Sequence, residues 1–292
     1  MSSGTATNRT NVDLPVELSR EIMQKAKESS AIMQLAREIA LPGRGAAINV
    51  ITSDPEAAWV GETAAKPVSN PGLATKVMRA YKLAVIVPFS NEFRRDLSAL
   101  YTALVERLPG ALAKKFDATV FGNGDKPGDD FDNFASITAQ SLASDVYQGL
   151  VSADTDVALH GGIINGYAIS PQMRGILLGA TDTSKRPLFN NNTGDGAVPY
   201  ILGAPTKVAK GAFKSGNPSV VGVAGDWTQA MWGSVEGVKI DFSSDATLDI
   251  DAEHKINLFQ QNMFAVRAEI EVGFRADTSV FNAFTATGVP SV

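Results

Sequence analysis

Apolar residues at three-and-four spacing predict two helices in the first half of the chain. A weaker pattern covers residues 15–40, and Asp13 can cap its start. We expect this helix to pack on its own domain, although docking on a neighbouring subunit is the alternative. A nearly unbroken stripe over residues 90–122 is longer than most helices of globular proteins. The sequence therefore predicts one long central helix.

The long helix contains one internal irregularity and a clear end. Pro109 has no N–H for the carbonyl of Val105, and Gly110 follows it, so we predict a bend there and no break. The segment GNGDKPGDD at 122–130 then stops the helix. Its glycines superficially resemble a dinucleotide loop. However, the segment ends a helix where such a loop follows a strand.

Residues 46–90 carry the alternation typical of strands. Segments 47–52 and 76–90 are rich in β-branched residues, and the stretch between them is rich in Ala, Pro, Gly and Ser. This pattern predicts an extended hairpin with an irregular tip. Its few large apolar residues include Trp59 and Leu73, and a two-stranded ribbon alone is marginally stable in water. Such a hairpin needs a surface outside itself to lie on.

The second half of the chain mixes short helices and strands. Helices are predicted at 143–151 and 171–181, and a polar loop at 182–199. The strands are predicted at 166–171, 201–210, 218–227 and 231–243, with a final pair over 257–276. Five acidic residues gather near the end, namely Asp241, Asp245, Asp249, Asp251 and Glu253. We interpret them as a solvated loop, because Ca²⁺ would require closer and more regular ligands.

Composition narrows the function classes. The chain has 292 residues, 44% hydrophobic and 20% charged, which suits one large or two modest domains. The net charge of −5 argues against a protein whose main task is to grip nucleic acid. The absence of cysteine removes disulfides and thiol chemistry. Neither a membrane span nor a signal peptide is recognisable, so we expect a soluble cytosolic protein.

Catalytic motifs are missing from the sequence. The only histidines are His160 and His254, which leaves almost no material for metal sites or general-base triads. There is no nucleophile elbow, phosphate-binding lysine loop or zinc-protease motif. The sequence therefore predicts no enzyme and no cofactor.

The order of these elements resembles the major capsid proteins of tailed bacteriophages with the Hong Kong 97 fold. The resembling segments cover nearly the whole chain. They are VELSREIMQKAKESSAIMQLA, AAWVGETAAKPVSNPG, KLAVIVPFSNEFRRD, KKFDATVFGNGDKPG, SPQMRGILLGATDTSKRPLF, YILGAPTKVAK, AGDW and NMFAVRAEIEVGFRADTSVFNAF. No single segment is decisive, but their shared order makes chance agreement improbable.

The resemblance implies an α+β fold of the Hong Kong 97 type, divided along the chain. Its expected parts are an N-terminal arm (1–45), an extended β-hairpin loop (46–89), a spine helix of the peripheral domain (90–130), an axial domain (131–253) and return strands of the peripheral domain with the C-terminus (254–292). Inter-subunit contacts are expected at Trp59, Glu62, Lys66, Arg94, Arg95 and Asp96. Pro109 and Gly110 are hinge candidates.

The function implied is that of a shell subunit. Hexamers and pentamers of such a protein would form an icosahedral head around double-stranded DNA, with weak non-specific contacts to it. The expected partners are further copies of the chain, a portal and a decoration or cement protein. Because the arm helix starts so near Met1, we also expect a separate scaffolding protein, with no scaffolding protein as the alternative. Assembly would occur in the host bacterial cytoplasm. The alternative is an encapsulin-like compartment that houses a cargo enzyme.

Some relatives cross-link their shells through a lysine–asparagine isopeptide bond assisted by a glutamate. The matching positions here are Lys76, Asn262 and Glu269. The chemistry needs a neutral lysine and a glutamate in an apolar pocket that accepts its proton. Because most relatives do not cross-link, we favour the interpretation that Lys76 is solvated and the other two are ordinary strand residues.

Overall fold

The computed structural model describes residues 16–43, 45–53, 59–60, 72–92, 97–182, 184–189, 198–249 and 255–289. The helices are α1 (Val16–Ser29), α2 (Ala31–Leu35), α3 (Leu97–Val120), α4 (Val146–Leu159) and α5 (Pro171–Gly179). No helix in these ranges is long and apolar enough to cross a membrane. The strands and helices together give the predicted α+β class.

The fifteen strands follow in chain order. They are β1 (Arg37–Ala40), β2 (Ala46–Ser53), β3 (Gly72–Met78), β4 (Tyr81–Ser90), β5 (Thr138–Ser141), β6 (Gly166–Ile169), β7 (Tyr200–Ile201), β8 (Ala204–Val208), β9 (Ser219–Gly225), β10 (Ala230–Ser234), β11 (Lys239–Ser243), β12 (Thr247–Asp249), β13 (Lys255–Asn257), β14 (Met263–Ala276) and β15 (Phe281–Ala286).

The N-terminal helix is shorter than predicted. It ends at Ser29, and the hydroxyl of Ser30 accepts a hydrogen bond from the N–H of Met33 to cap the short α2. Residues 37–40 then form a strand that pairs in parallel with β10. Helix α1 packs against α3 of its own subunit and buries Ile22 there. This is the packing on its own domain that we expected.

The long helix α3 passes through Pro109 without a break, as predicted. It ends at Val120, and Gly122 adopts a positive φ of 76°. A Cβ at Gly122 would lie 2.5 Å from the Cα of Ala135, which is too close for a side chain. The positive φ is also a conformation that residues with side chains rarely adopt. The segment after α3 is a helix stop, as its glycines suggested.

The predicted hairpin differs from the observed one in its second strand. We expected one strand over 76–90, but it is interrupted at Arg79–Ala80. Only β3 pairs with β2, whereas β4 pairs with β14 along ten residues of a different sheet. The apolar residues of β4 at alternate positions pack on the main core, and this burial draws the strand away from the hairpin.

Two larger sheets divide the molecule. The five-stranded sheet has the order β1-β10-β14-β11, and β4 pairs with the other edge of β14. The six-stranded sheet has the order β5-β15-β9-β6-β8-β7. The continuous ranges that we expected do not follow these sheets. Strands β10 and β11 from 131–253 lie in the five-stranded sheet, and β15 from 254–292 lies in the six-stranded sheet.

The acidic segment is also different from the expected loop. Its described part contains β11 and β12. Asp241 pairs with Arg267 across the sheet at 2.6 Å, and Asp249 pairs with Lys255 at 3.2 Å. Asp251 and Glu253 lie outside the described residues. The predicted final strand pair is likewise one long strand, β14, preceded by a turn and by β13, which pairs with β12.

One apolar core joins the two sheets, and Phe134 lies at their junction. Its ring centroid is 5.7 Å from that of Phe274 in β14, in the five-stranded sheet. It is 4.7 Å from Phe281 in β15 and 5.9 Å from Trp227, which follows β9. The two sheets therefore pack through shared aromatic contacts in one continuous core.

Candidate functional site

The hairpin of β2 and β3 forms a sheet of its own, whose base is attached to the rest of the subunit. Met78 at the end of β3 is fully buried with Leu41 and Met231. At the other side of the base, Gly45 has a φ of 87°. A Cβ there would lie 2.6 Å from the carbonyl oxygen of Met78, so glycine allows the two chain segments to meet closely.

A cluster of five charged residues, the hairpin-base cluster, fixes this attachment. It consists of Lys76, Arg79, Asp130, Asp132 and Arg275. The Arg275 guanidinium pairs with Asp130 at 3.0 Å and with Asp132 at 2.9 Å, and its side chain is 11% exposed. Arg79 reaches Asp130 at 3.1 Å. The cluster thus joins the hairpin to β14 and to the segment after α3.

Backbone groups extend the same cluster. Arg275 Nε donates to the carbonyl of Val77 at 2.8 Å, and Lys76 Nζ donates to the carbonyl of Ala276 at 3.0 Å. The N–H of Ala276 donates to Asp132 at 3.1 Å. Charge-assisted hydrogen bonds of this kind are stronger than neutral ones. Local sequence patterns did not reveal this site. The available signal was an arginine near the end of an apolar strand, together with four aspartates in the segment 121–132 after α3.

The expected contact residues are only partly within the described structure. The side chain of Trp59 is fully exposed, and no described residue covers it. Glu62, Lys66, Arg94, Arg95 and Asp96 lie outside the described residues. A fully solvated tryptophan buries none of its large apolar surface, which makes Trp59 a candidate for a contact with another molecule.

The three cross-link candidates are not brought together within one subunit. Asn262 and Glu269 are seven residues apart on and before β14, or roughly 24 Å along an extended strand. Lys76 lies beyond the far end of the same strand, at Ala276. Glu269 is 3.1 Å from Arg267 and 3.8 Å from Lys82, in charged surroundings that differ from the apolar pocket the reaction needs.

A buried carboxyl joins the N-terminal helices to α3. Asp117 accepts hydrogen bonds from the hydroxyl of Ser30 and, at 3.0 Å, from the N–H of Ala31. Burial raises the pKa of Asp117 to about 7, although these hydrogen bonds act in the opposite direction. The protonated form is therefore the one that this site favours below neutral pH.

The part of the subunit that contains the six-stranded sheet exposes several large apolar side chains. Leu159 and Ile163, at the end of α4 and just after it, are 79% and 76% exposed. Others lie on or beside strands β7 and β8. These are Tyr200, Leu202 and Val208. Helix α4 contacts β5 and β15, whereas β7 and β8 lie at the other end of the six-stranded sheet, so these residues form two separate apolar sites. Exposed apolar residues of this kind are candidates for contacts with another chain.

Comparisons with known proteins agree with this arrangement. The Phage capsid family matches residues 11–285. The chain is 27% identical over 290 residues to the probable major capsid protein gp17 of Mycobacterium phage D29, covering 93% of this chain and 89% of that protein. It is 26% identical over 284 residues to the major capsid protein of Staphylococcus phage 80alpha, covering 91% and 82%.

Solved structures show the same fold. A chain from Microbacterium phage Oxtober96 superposes with a TM-score of 0.69 at 18% identity, over 98% of this chain and 96% of that one. A chain from Gordonia phage Cozz gives 0.67 at 21% identity, over 89% and 87%. The capsid of a native GTA particle, computed with C5 symmetry, gives 0.61 at 15% identity, over 99% and 96%.

Proposed function

Because this chain belongs to the phage capsid family and is a major capsid protein, we propose that its copies assemble into hexamers and pentamers of an icosahedral shell around double-stranded DNA. The family is one of structural proteins, not of enzymes. The encapsulin-like alternative has no support among the relatives described above.

The main observation in support of this proposal is the hairpin of β2 and β3. Its two strands pair only with each other within the described residues, yet its base is held by a mostly buried arginine and two aspartates. A two-stranded ribbon does not bury enough surface to be stable alone. A firmly attached hairpin is therefore explained if its outer part lies on a neighbouring subunit. Trp59, in the segment between its strands, would be a main contact.

The two sheets suggest separate roles in the shell. We assign α3 and the five-stranded sheet to the peripheral domain, and the six-stranded sheet with α4 and α5 to the axial domain. The exposed apolar residues of α4 and of the β7–β8 edge would then meet their counterparts around the symmetry axes. Pro109 and Gly110, inside α3, stay hinge candidates, because Pro109 removes one backbone hydrogen bond of the helix.

Further partners follow from the same role. A separate scaffolding protein, a portal and a decoration or cement protein are expected to bind this subunit. The protein is a component of the virion, and its assembly would take place in the cytoplasm of the host bacterium. Residues Glu62, Lys66, Arg94, Arg95 and Asp96 remain proposed contacts between subunits.

Electron microscopy of the purified chain tests this proposal. Expressed alone or with its scaffolding protein, the chain should give closed shells, aberrant shells, or rings of five and six subunits. Deletion of residues 54–71, the segment between β2 and β3, should leave a folded subunit that forms none of these. A wild-type chain that stays a folded monomer under every condition, even with the scaffolding protein supplied, would contradict the proposal.

A further inference from the structure

One side of the subunit carries five basic residues that have no ionic partner among the described residues. Arg107, Lys114 and Lys115 lie on α3, and Lys210 and Lys214 lie on the short segment that packs against it. We call this set the lysine face. Within the described part of the chain, none of the five forms a salt bridge, although eleven other cations do.

Close packing brings the two halves of the lysine face together. A Cβ on Gly211 would lie 3.0 Å from the carbonyl oxygen of Lys114 and 2.8 Å from the N–H nitrogen of Ala118. The glycine therefore lets the segment with Lys210 lie directly on α3. Beyond it, Asn123 donates a hydrogen bond to the carbonyl of Phe213 at 3.0 Å, which holds the neighbourhood of Lys214 against the end of α3.

Acidic residues do not compensate for this charge. Helix α3 contains two carboxylates, of which Asp117 is buried against Ser30 and Glu106 is exposed beside Arg107. Residues 207–218 contain three lysines and no acidic residue. In a protein with a net charge of −5, this side is locally basic.

The opposite side of the five-stranded sheet has a different character. Successive side chains of β14 alternate between the two faces, so Phe274, which contacts Phe116 of α3, lies on the face away from Arg267, Glu269 and Glu271. On that outer face, Lys82, Arg267 and Lys239 each pair with an acidic residue. The register of β1 also places Arg37 on this face, and it has no salt bridge among the described residues. Most charges of this face are therefore paired, whereas those of the lysine face are not.

We infer that the lysine face lines the inner wall of the shell and binds the phosphate backbone of the packaged DNA. This inference rests on the proposed function. Duplex DNA carries about one negative charge per 1.7 Å of its axis, and Arg107 to Lys115 spans roughly 12 Å of helix. Lysines contact phosphates as point charges and carry no base specificity. Contacts of this kind are weak and sensitive to salt, as sequence-independent packaging requires.

Binding of a labelled 20-base-pair duplex to unassembled full-length subunits tests the inference. Anisotropy is measured between 50 and 200 mM salt for the wild type, for K114Q/K210Q and for the control R174Q/K185Q. The control removes two exposed cations, one on α5 and one in the loop after it, that have no ion pair among the described residues. Both variants lose the same net charge.

The lysine-face variant should lower the slope of log K against log salt by about 2, and the control should leave it unchanged. Equal weakening by both variants would overturn the inference, because only bulk charge would then matter. Poly-glutamate that binds as tightly as the duplex would also overturn it, and would indicate an acidic protein segment as the partner.

Shells give a second, independent readout. In reconstructions of assembled particles, the lysine face should lie at the inner radius, and K114Q/K210Q should assemble like the wild type. A lysine face at the outer radius would overturn the inference while leaving the proposed shell function intact. Absence of shells from the wild type would instead contradict the proposed function, and the binding measurement would still stand on its own.

Discussion

The Nε of Arg275 donates a hydrogen bond to the backbone carbonyl of Val77 at 2.8 Å, although the two residues are 198 positions apart in the chain. Val77 belongs to the second strand of the hairpin, and Arg275 lies near the end of the longest strand of the core sheet. The Arg275 side chain, which two aspartates hold in place, therefore joins the outer element of the capsid subunit to its core, together with Lys76 and the buried Met78.

Replacement of Arg275 should destabilise the subunit and detach the hairpin. In Arg275→Ala, Asp130 and Asp132 lose their main partner, and breaking a largely buried pair costs about 3–5 kcal/mol. Denaturant unfolding of unassembled subunits measures this loss. The control is Arg79→Ala, because Arg79 is exposed and its pair with Asp130 should contribute about 0–1 kcal/mol. Equal losses in the two variants would contradict the anchoring role.

Replacement of Phe134 should weaken the contact between the two sheets. Phe134→Ala removes an aromatic ring that touches residues of both sheets, and such a deletion in a core costs about 3–5 kcal/mol. The matched control is Phe259→Ala, since Phe259 is 79% exposed and its loss should change the unfolding free energy by less than about 0.5 kcal/mol. If the two variants unfolded at the same denaturant concentration, Phe134 would not be an important contact between the two sheets.

Asp117 should make the subunit less stable as the pH rises. Its folded pKa of about 7 exceeds the ordinary value of 3.8, so the folded state holds a proton that the unfolded state releases. This contribution is complete below pH 4 and is lost as the pH rises to 7, by up to about 4 kcal/mol. The difference in unfolding free energy between the wild type and Asp117→Asn should therefore change between pH 4 and 7 and stay constant above pH 7.

An exposed aspartate provides the control of opposite sign. Hydrogen bonds from the backbone of Arg186, with smaller contributions from its side chain and from Ser184, lower the pKa of Asp182. Its contribution is present above the ordinary pKa and is lost as the pH falls below it. In Asp182→Asn, the free energy of unfolding should therefore still decrease between pH 4 and 7, as in the wild type. If it also decreased in this way in Asp117→Asn, another group would be responsible.

Truncation of Trp59 should impair assembly and spare the subunit. Because the side chain is fully exposed, Trp59→Ala should change the unfolding free energy by less than about 0.5 kcal/mol. Shell yield, measured by sedimentation and electron microscopy, should fall sharply, since aromatic anchors dominate many interfaces. Trp59→Phe keeps an apolar ring and should retain most of the yield. Normal shells from Trp59→Ala would remove this residue from the proposed contacts.

Mature shells should dissociate into monomers on denaturing gels. Glu269 lies beside Arg267 and Lys82, in charged surroundings, whereas isopeptide formation requires a glutamate in an apolar pocket. Lys76 already donates to a carbonyl and lies 3.7 Å from Asp132. A ladder of covalent oligomers that Lys76→Arg abolishes would show that a neighbouring subunit changes these surroundings enough for the reaction.

Local sequence patterns were sufficient for the elements whose signal is contained in a short stretch. The apolar stripe of α3 and the glycines at 122 and 124 specify that helix and its end, because backbone hydrogen bonds and left-handed turns depend on neighbouring residues. The resemblance of ordered segments likewise identified the capsid family. The same local signals wrongly assigned residues 81–90 to the hairpin. Their alternation of β-branched residues predicts a strand but does not indicate whether that strand belongs to the hairpin or to the five-stranded sheet.

Tertiary structure alone decided which strands share a sheet and which charges meet. Strand β4 lies beside β14 because its apolar face is buried in the core, a preference that involves residues about 180 positions away. The pairing of Arg275 with Asp130 and of Asp117 with Ser30 depends on the same long-range packing. The sequence by itself determined the long helix and its end, the presence of a projecting hairpin and the family. The energy of burying distant surfaces against each other determined where the hairpin ends and what holds it.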